Sequence, residues 1–312
     1  MVTGAFGQIG SELVPALRKK FGADNVVAVG HRHKPPKQVI EAGPVDFVGV
    51  TNRQEFKKKV KKHDVDTLFH LAAILSARGE KNPTKAWRVN MLGKYYALEI
   101  ARELGLEKVF IPSSIASFGP ETPRDNTPQE TTQRPTTIYG ITKVAGELLG
   151  NYYFKKFAVD VRGVRFPGLI SSESPPGGGT TDYAVHIFFE ALKHKKYTCF
   201  LEENTYLPMM YMPDALDCMI QLMEAPIEKL KHHCDFNVNS MSFSPRELAA
   251  EIKKHVPEFT IDYKPDFRQA IADSWPKSLD DSAARREWGW KPKYDLASMT
   301  KDMLEKLSKK IS

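Results

Sequence analysis

Val2-Thr3-Gly4-Ala5-Phe6-Gly7-Gln8-Ile9-Gly10 is the stretch that decides the fold. Two β-branched residues lead into glycines spaced Gly-x-x-Gly-x-x-Gly, and residues 12–20 follow with the pattern of an amphipathic helix. Glycines permit a tight turn and let backbone N–H groups and a helix N-terminus approach a pyrophosphate. A lone glycine triplet is an ordinary turn, but a strand before it and a helix after it are the setting of a dinucleotide site. Gly4, Gly7, Gln8, Ile9 and Gly10 are therefore expected to bind a dinucleotide. Only Met1 and Val2 stand before Thr3. Since a buried strand usually runs about five residues, further residues are expected upstream.

Working outward, strands are expected at 25–29, 45–50, 66–73, 108–111 and 160–166. Helices are expected at 54–62, 83–104 and from Tyr139 to about residue 157. Such alternation implies an α/β fold, a Rossmann-like doubly wound parallel sheet with helices on both faces. Ligands bind such sheets beyond the carboxyl ends of the strands. Leu71, Ala72, Ala73, the pair Ser113-Ser114 and Pro167 lie at such ends, so they should meet the glycine turn in one crevice. The 120–135 stretch is a polar, proline-rich loop. After residue 170 the alternation weakens: 182–195 and 214–224 look helical, 207–213 irregular, and Ser244-Pro245 opens a helix. Residues 1–170 are thus expected to form a dinucleotide-binding domain, to which some later segments return. Residues 171–312 form a smaller C-terminal substrate-binding lobe. Met209, Met210 and Met212 read as packing rather than sulfur ligands. The run from Pro175 to Asp182, with Gly177, Gly178, Gly179, Thr180 and Thr181, is either a linker or a backbone-lined pocket.

Tyr139-Gly140-Ile141-Thr142-Lys143 carries the chemistry. Residues four apart share a helix face. A phenol has a pKa of about 10, and a nearby ammonium lowers it, which would let Tyr139 take a proton from an alcohol that Ser114 orients. Tyr-x-x-x-Lys alone is a frequent accident; the strand-end crevice gives it weight. The second strand ends in Gly30-His31-Arg32-His33-Lys34, where NAD enzymes commonly carry an acid for the ribose 2′-hydroxyl. His31 and Arg32 become the candidates for the adenine-ribose end, and Arg32 would suit a 2′-phosphate, so NADP stays open beside NAD.

The 312 residues are 41% hydrophobic and 10% aromatic, enough for a sizeable core. A net charge of +7 comes from lysines scattered along helices without interleaved aromatics, so no nucleic-acid partner is expected. Cys199, Cys218 and Cys234 show no Cys-x-x-Cys spacing, which argues against structural zinc and disulfides; no metal is expected. No apolar run reaches the roughly 18 residues of a membrane helix.

With these residues in view, the chain resembles the extended short-chain dehydrogenase/reductase family over its whole length, through Gly4-Gly7-Gly10, Ser114 and Tyr139-Lys143. Within that family it is most similar to the short-chain type of L-threonine 3-dehydrogenases. The specific stretches are residues 112–120, Pro176-Gly177-Gly178-Gly179-Thr180-Thr181-Asp182, residues 207–212, Asp273-Ser274-Trp275-Pro276 and Leu279-Asp280-Asp281-Ser282. The resemblance implies oxidation of L-threonine by NAD⁺ to L-2-amino-3-oxobutanoate, with Tyr139 as base, Lys143 lowering its pKa and Ser114 orienting the hydroxyl. It implies that Asn90 helps hold Lys143 through water, and that Ser76, Gly178, Thr180 and Trp275 meet the substrate. It further implies a homodimer built on the helices at 83–104 and 139–157, and a mitochondrial address with the targeting segment outside this chain. Two alternatives stand beside it: a nucleotide-sugar epimerase or dehydratase, and a dinucleotide-binding sensor without catalysis.

Overall fold

The computed structural model describes residues 1–32, 35, 37–174 and 177–311. Eight short strands come first: β1 (Val2–Thr3), β2 (Ala28–Gly30), β3 (Val45–Phe47), β4 (Thr67–His70), β5 (Lys108–Phe110), β6 (Ser113–Ser114), β7 (Val161–Arg162) and β8 (Val164–Phe166). Six of them form a parallel sheet in the order β3-β2-β1-β4-β5-β7. Helices alternate with these strands, so the fold is Rossmann-like α/β. Val2, Ala28, Leu68 and Val109 are wholly buried, as expected of strands covered on both faces. The strand order reverses at β1, and the glycine turn leaves from its carboxyl end.

Six strands follow: β9 (Gly168–Ile170), β10 (Lys196–Cys199), β11 (Leu207–Tyr211), β12 (Phe236–Asn237), β13 (Met241–Phe243) and β14 (Thr260–Tyr263). Strand β12 pairs with β8, and β8 with β6, so a late segment returns beside the first-half strands. Strands β13, β11 and β9 form a second small sheet, β10 and β14 a third.

Among the differences from the sequence reading, three have a physical cause visible in the packing. The strand expected at 160–166 is broken at Gly163, where a Cβ would stand 2.3 Å from the Ile111 carbonyl oxygen. Residues 207–211 are a strand rather than irregular. Pro208 is tolerated because it lies ahead of the residues that pair with β9, and Met209 and Met210 are fully buried. The helix at 83–104 is continuous but passes through a π-helical turn at Arg88–Leu92. Such turns shift which side chains share a face.

Two helices position the site. The Tyr139 helix, Ile138–Phe157, starts at Thr137, whose side chain accepts from Gly140 N at 3.0 Å, and ends at Ala158 in the left-handed region. The Asn90 helix starts with an Asn82 cap on Lys85 N and Pro83 in its first turn, and stops at left-handed Gly105. Tyr139, Ile115 and Phe118 pack into the same apolar cluster as Phe188, Tyr211 and Phe243, so the reactive segment rests on the later part of the chain.

Candidate functional site

The glycine turn is defined by lack of space. Gly4 has φ +69°, and a Cβ there would lie 2.8 Å from Ala72 N; one on Gly10 would lie 2.4 Å from the Gly4 oxygen. Both contacts are with backbone, which cannot swing aside. The helix Gly10–Phe21 begins at Ile9 with no side-chain cap, so its N-terminus faces the turn with its positive end open. A tight cradle at a helix N-terminus fits a pyrophosphate. Gly30 has its own packing reason: a Cβ there would meet the Phe6 ring at 2.2 Å. The residue that replaces the usual acid therefore makes room for an aromatic side chain of the turn. His31 and Arg32 are exposed beside it, while His33 and Lys34 lie outside the described residues.

A cavity of about 130 Å³ opens beside the cradle. Gln8, Ile9, Leu71, Ala73 and Pro167 line it from the turn and strand ends, and Ser114, Tyr139 and Lys143 from the reactive segment. Ser76, Thr180 and Trp275 close the far side, with the Ser76 and Thr180 hydroxyls 3.4 Å apart. Residues from Gln8 to Trp275 thus line one cavity, and the strand-end residues Ala73, Ser113 and Ser114 meet there. Gly178 lies outside the lining; its N–H and that of Gly179 both donate to Asp182 Oδ2 at 2.7 Å. The stretch is therefore a loop folded onto a carboxylate, with Gly179 to Asp182 on the cavity wall, and not a free linker. Pro175 and Pro176 lie outside the described residues. A larger cavity of about 640 Å³ lies near the amino ends of β1, β4 and β5, lined by Met1, Thr67 and Lys108, the opposite end from that used by ligands of parallel sheets.

Tyr139 reaches Ser114 because Gly140 lets its helix touch the Ile115–Ser117 turn: a Cβ on Gly140 would stand 2.2 Å from the Ala116 oxygen. Burial pushes the Tyr139 phenol up to about 12, and a hydrogen bond with Ser114 works in the opposite sense. Lys143 Nζ lies 5.1 Å from the Tyr139 ring centre and donates to the Pro112 oxygen at 2.6 Å. Burial lowers its own pKa to about 8, against the attraction of Glu147. The ammonium sits over the ring and on a carbonyl, and desolvation of the phenolate dominates.

Asn90 also has direct protein partners. Its side chain grips the backbone of Ile74, accepting from the N–H at 2.8 Å and donating to the carbonyl at 3.0 Å, and it donates to Thr142 Oγ1 at 3.3 Å. With Ala72 and Lys143 it borders a second cavity of about 10 Å³, the size of one water. Three groups escaped the sequence reading. Glu147, one turn beyond Lys143, accepts from Ser113, Gln133 and Arg165, the last in a buried pair at 2.9 Å, and so anchors the strand that presents Ser114. Its spacing of four from Lys143 was the available signal. Asp182 was visible only as a helix-start acid, and Lys94 looked like one more surface lysine.

The model of the NAD dependent epimerase/dehydratase family matches residues 1–238. An uncharacterized epimerase/dehydratase of Staphylococcus haemolyticus is 52% identical over 311 residues, 99% of this chain and 98% of the relative. The solved L-threonine dehydrogenase of Clostridium difficile is 56% identical, with 99% of this chain and 97% of that chain covered and a TM-score of 0.97. A monomeric L-threonine 3-dehydrogenase from a metagenome is 46% identical, with 100% and 99% covered and a TM-score of 0.96. The curated relative is bacterial and lends no support to a mitochondrial address. Among the described residues no helix is long and apolar enough to cross a membrane. With its glycine cradle at the switch point of a parallel sheet, the chain belongs to the NAD dependent epimerase/dehydratase family, and its cofactor is NAD.

Proposed function

We propose that this protein oxidises the 3-hydroxyl of L-threonine to L-2-amino-3-oxobutanoate. The observation that carries the reading is the convergence of Ser114, Tyr139, Ser76 and Thr180 on one small cavity beside the glycine cradle. Solved proteins about half identical over nearly the whole chain bear the name L-threonine dehydrogenase. NAD⁺ bound in the cradle supplies the hydride acceptor. Ser114 holds the substrate hydroxyl, and Tyr139 receives its proton. Lys143 supplies the positive charge that favours the phenolate, a task made necessary by the burial that raises the phenol's pKa. Ser76 and Thr180 offer neutral hydroxyls to the amino-acid end, and buried Trp275 excludes water from that wall. Residues 1–170, with β12 returning, serve the cofactor, and residues 171–312 mainly the substrate.

The same reading makes the protein a homodimer. Ile141, Leu148 and Tyr152 are exposed at helical spacing on the Tyr139 helix, and Trp87 and Tyr95 are exposed on the Asn90 helix packed against it. Light scattering of the purified protein decides between dimer and monomer.

Mixing protein, NAD⁺ and L-threonine should generate reduced cofactor, seen as ultraviolet absorbance. Absence of turnover with both NAD⁺ and NADP⁺ would sink the proposal.

A further inference from the structure

Asp182 is a buried carboxylate with one oxygen uncommitted. It stands just ahead of the helix Tyr183–His194 and is 4% exposed. Its Oδ2 accepts from the Gly178 and Gly179 N–H groups at 2.7 Å, whereas its Oδ1 accepts no hydrogen bond among the described residues. No lysine, arginine or histidine among them forms an ion pair with it. His186, one turn along the same helix, is attracted by the carboxylate but is exposed. Arg78 approaches the neighbouring Gly178, its Nε 3.2 Å from where a Cβ would stand, yet it is exposed and outside the cavity lining. Carboxylates are rarely buried without a partner, because a desolvated charge is costly.

The cavity beside the glycine cradle shows where that partner comes from. Of its lining residues, Lys143 and Asp182 alone carry formal charge. Lys143 stands at the reacting end, on the Pro112 carbonyl and beside Tyr139. Asp182 stands at the far side, on the loop that carries Thr180, whose hydroxyl is 3.4 Å from that of Ser76. A Cβ on Gly179 would lie 2.9 Å from Oδ1, so glycine keeps the space beside that oxygen open. We infer that Asp182 is a specificity-determining residue for an α-amino acid: its Oδ1 receives the substrate ammonium, with the Ser76 and Thr180 hydroxyls as further acceptors. Hydrogen bonds between an ammonium and a carboxylate are about twice as strong as neutral ones. The same charge repels the carboxylate of the amino acid and so fixes which of its two groups faces the loop. The inference deepens the proposed threonine oxidation and rests on it for the identity of the amino acid.

Two acids that cannot react test it. L-2-Aminobutanoate is threonine without the hydroxyl, and butanoate lacks the ammonium as well. Calorimetry with the NAD⁺-loaded protein should find the amino acid bound roughly 10–100-fold more tightly, the usual worth of a hydrogen bond to a charged group. Asp182→Asn keeps an acceptor for the two glycine N–H groups and removes the charge. It should abolish that preference and raise KM for L-threonine by the same factor, with kcat within about threefold and NAD⁺ binding unchanged. Equal binding of the two acids by the parent protein, binding of neither, or a preference that survives in Asp182→Asn would overturn the inference. A variant that loses both acids alike, with a lower melting temperature, would show that Asp182 only staples its loop and would overturn it as well. If the parent does not oxidise threonine, the proposed function fails, while the comparison of the two acids still decides on Asp182.

Discussion

The crevice has two walls made by different means. The cradle wall is backbone: Gly4 and Gly10 are fixed because any Cβ would strike main-chain atoms at 2.8 and 2.4 Å. The pocket wall is side chains, and it is held by buried charge: Lys143 and Glu147 on the helix of the reacting tyrosine, Arg165 on β8 and Lys94 on the neighbouring Asn90 helix. The difference teaches where each function is vulnerable. A backbone cradle fails by losing shape and takes cofactor affinity with it. A charged pocket fails by changing protonation state and takes turnover with it.

The largest expected effect tests that separation directly. Tyr139→Phe keeps the ring's packing and removes only the proton acceptor. Threonine oxidation should fall by roughly 10²–10⁴-fold, the usual span for a lost general base, while the NAD⁺ dissociation constant measured by calorimetry stays put. A comparable loss of NAD⁺ binding would show that the two walls are not separable.

Gly10→Ala is the converse. Overpacking of this kind costs about 1–3 kcal/mol, and the Gly4 oxygen and Ala5 Cα cannot retreat without moving β1. NAD⁺ should bind roughly 10–100-fold more weakly, with a lower melting temperature. Affinity within twofold of the parent would refute the close-packed cradle. Thr180→Val comes next, since it removes one hydroxyl from the substrate wall at nearly constant volume. A net hydrogen bond is worth about 1 kcal/mol, so KM for threonine should rise roughly fivefold with kcat little changed. A change in kcat alone would place Thr180 at the reacting atoms instead.

Protonation separates the walls again in stability. The folded-state pKa values of Lys94 and Lys143, about 7 and 8, lie below the ordinary 10.5, and that of His70, about 3, below 6.5. In each case the unfolded chain binds the proton more readily. Stability contributed by these groups therefore rises with pH from about 3 to 6.5 and again from about 7 to 10.5. Denaturant titrations should show this rise, and Lys94→Met should flatten its upper part. Parallel curves for the two proteins would count against burial of a charged Lys94.

How much of this was legible in sequence follows the same division. The cradle could be read because glycine spacing, a strand before it and a helix after it are local, and local patterns survive in one dimension. Ser114, Tyr139 and Lys143 could be placed once their strand ends and helix were placed. The pocket's charge network could not. Lys94 stands between Gly93 and Tyr95 with nothing local to mark it as buried, and the space left by Gly146, on another helix, makes room for its ammonium. Strand β11 was misread for a related reason: Pro208 argues locally against a strand, and its tolerance depends on where the pairing with β9 begins. Pro208 and Lys94 are both decided by partners distant in the chain.

The smallest effect concerns the one place where the cradle uses side chains. No acid ends β2; Gly30 is occupied by the Phe6 ring, and Arg32 is exposed beyond it. Discrimination between NAD⁺ and NADP⁺ thus has no carboxylate at this position to repel a 2′-phosphate. Arg32, exposed to solvent, adds at most the modest attraction of an exposed charge, about 1 kcal/mol or less. Arg32→Ala should leave KM for NAD⁺ within about twofold and weaken any NADP⁺ use by about fivefold or less, measured as the ratio of kcat/KM for the two cofactors. A large loss with NAD⁺ would mean that Arg32 holds the adenine-ribose end directly. The cradle would then depend on a side chain after all, and its contrast with the charged pocket would narrow.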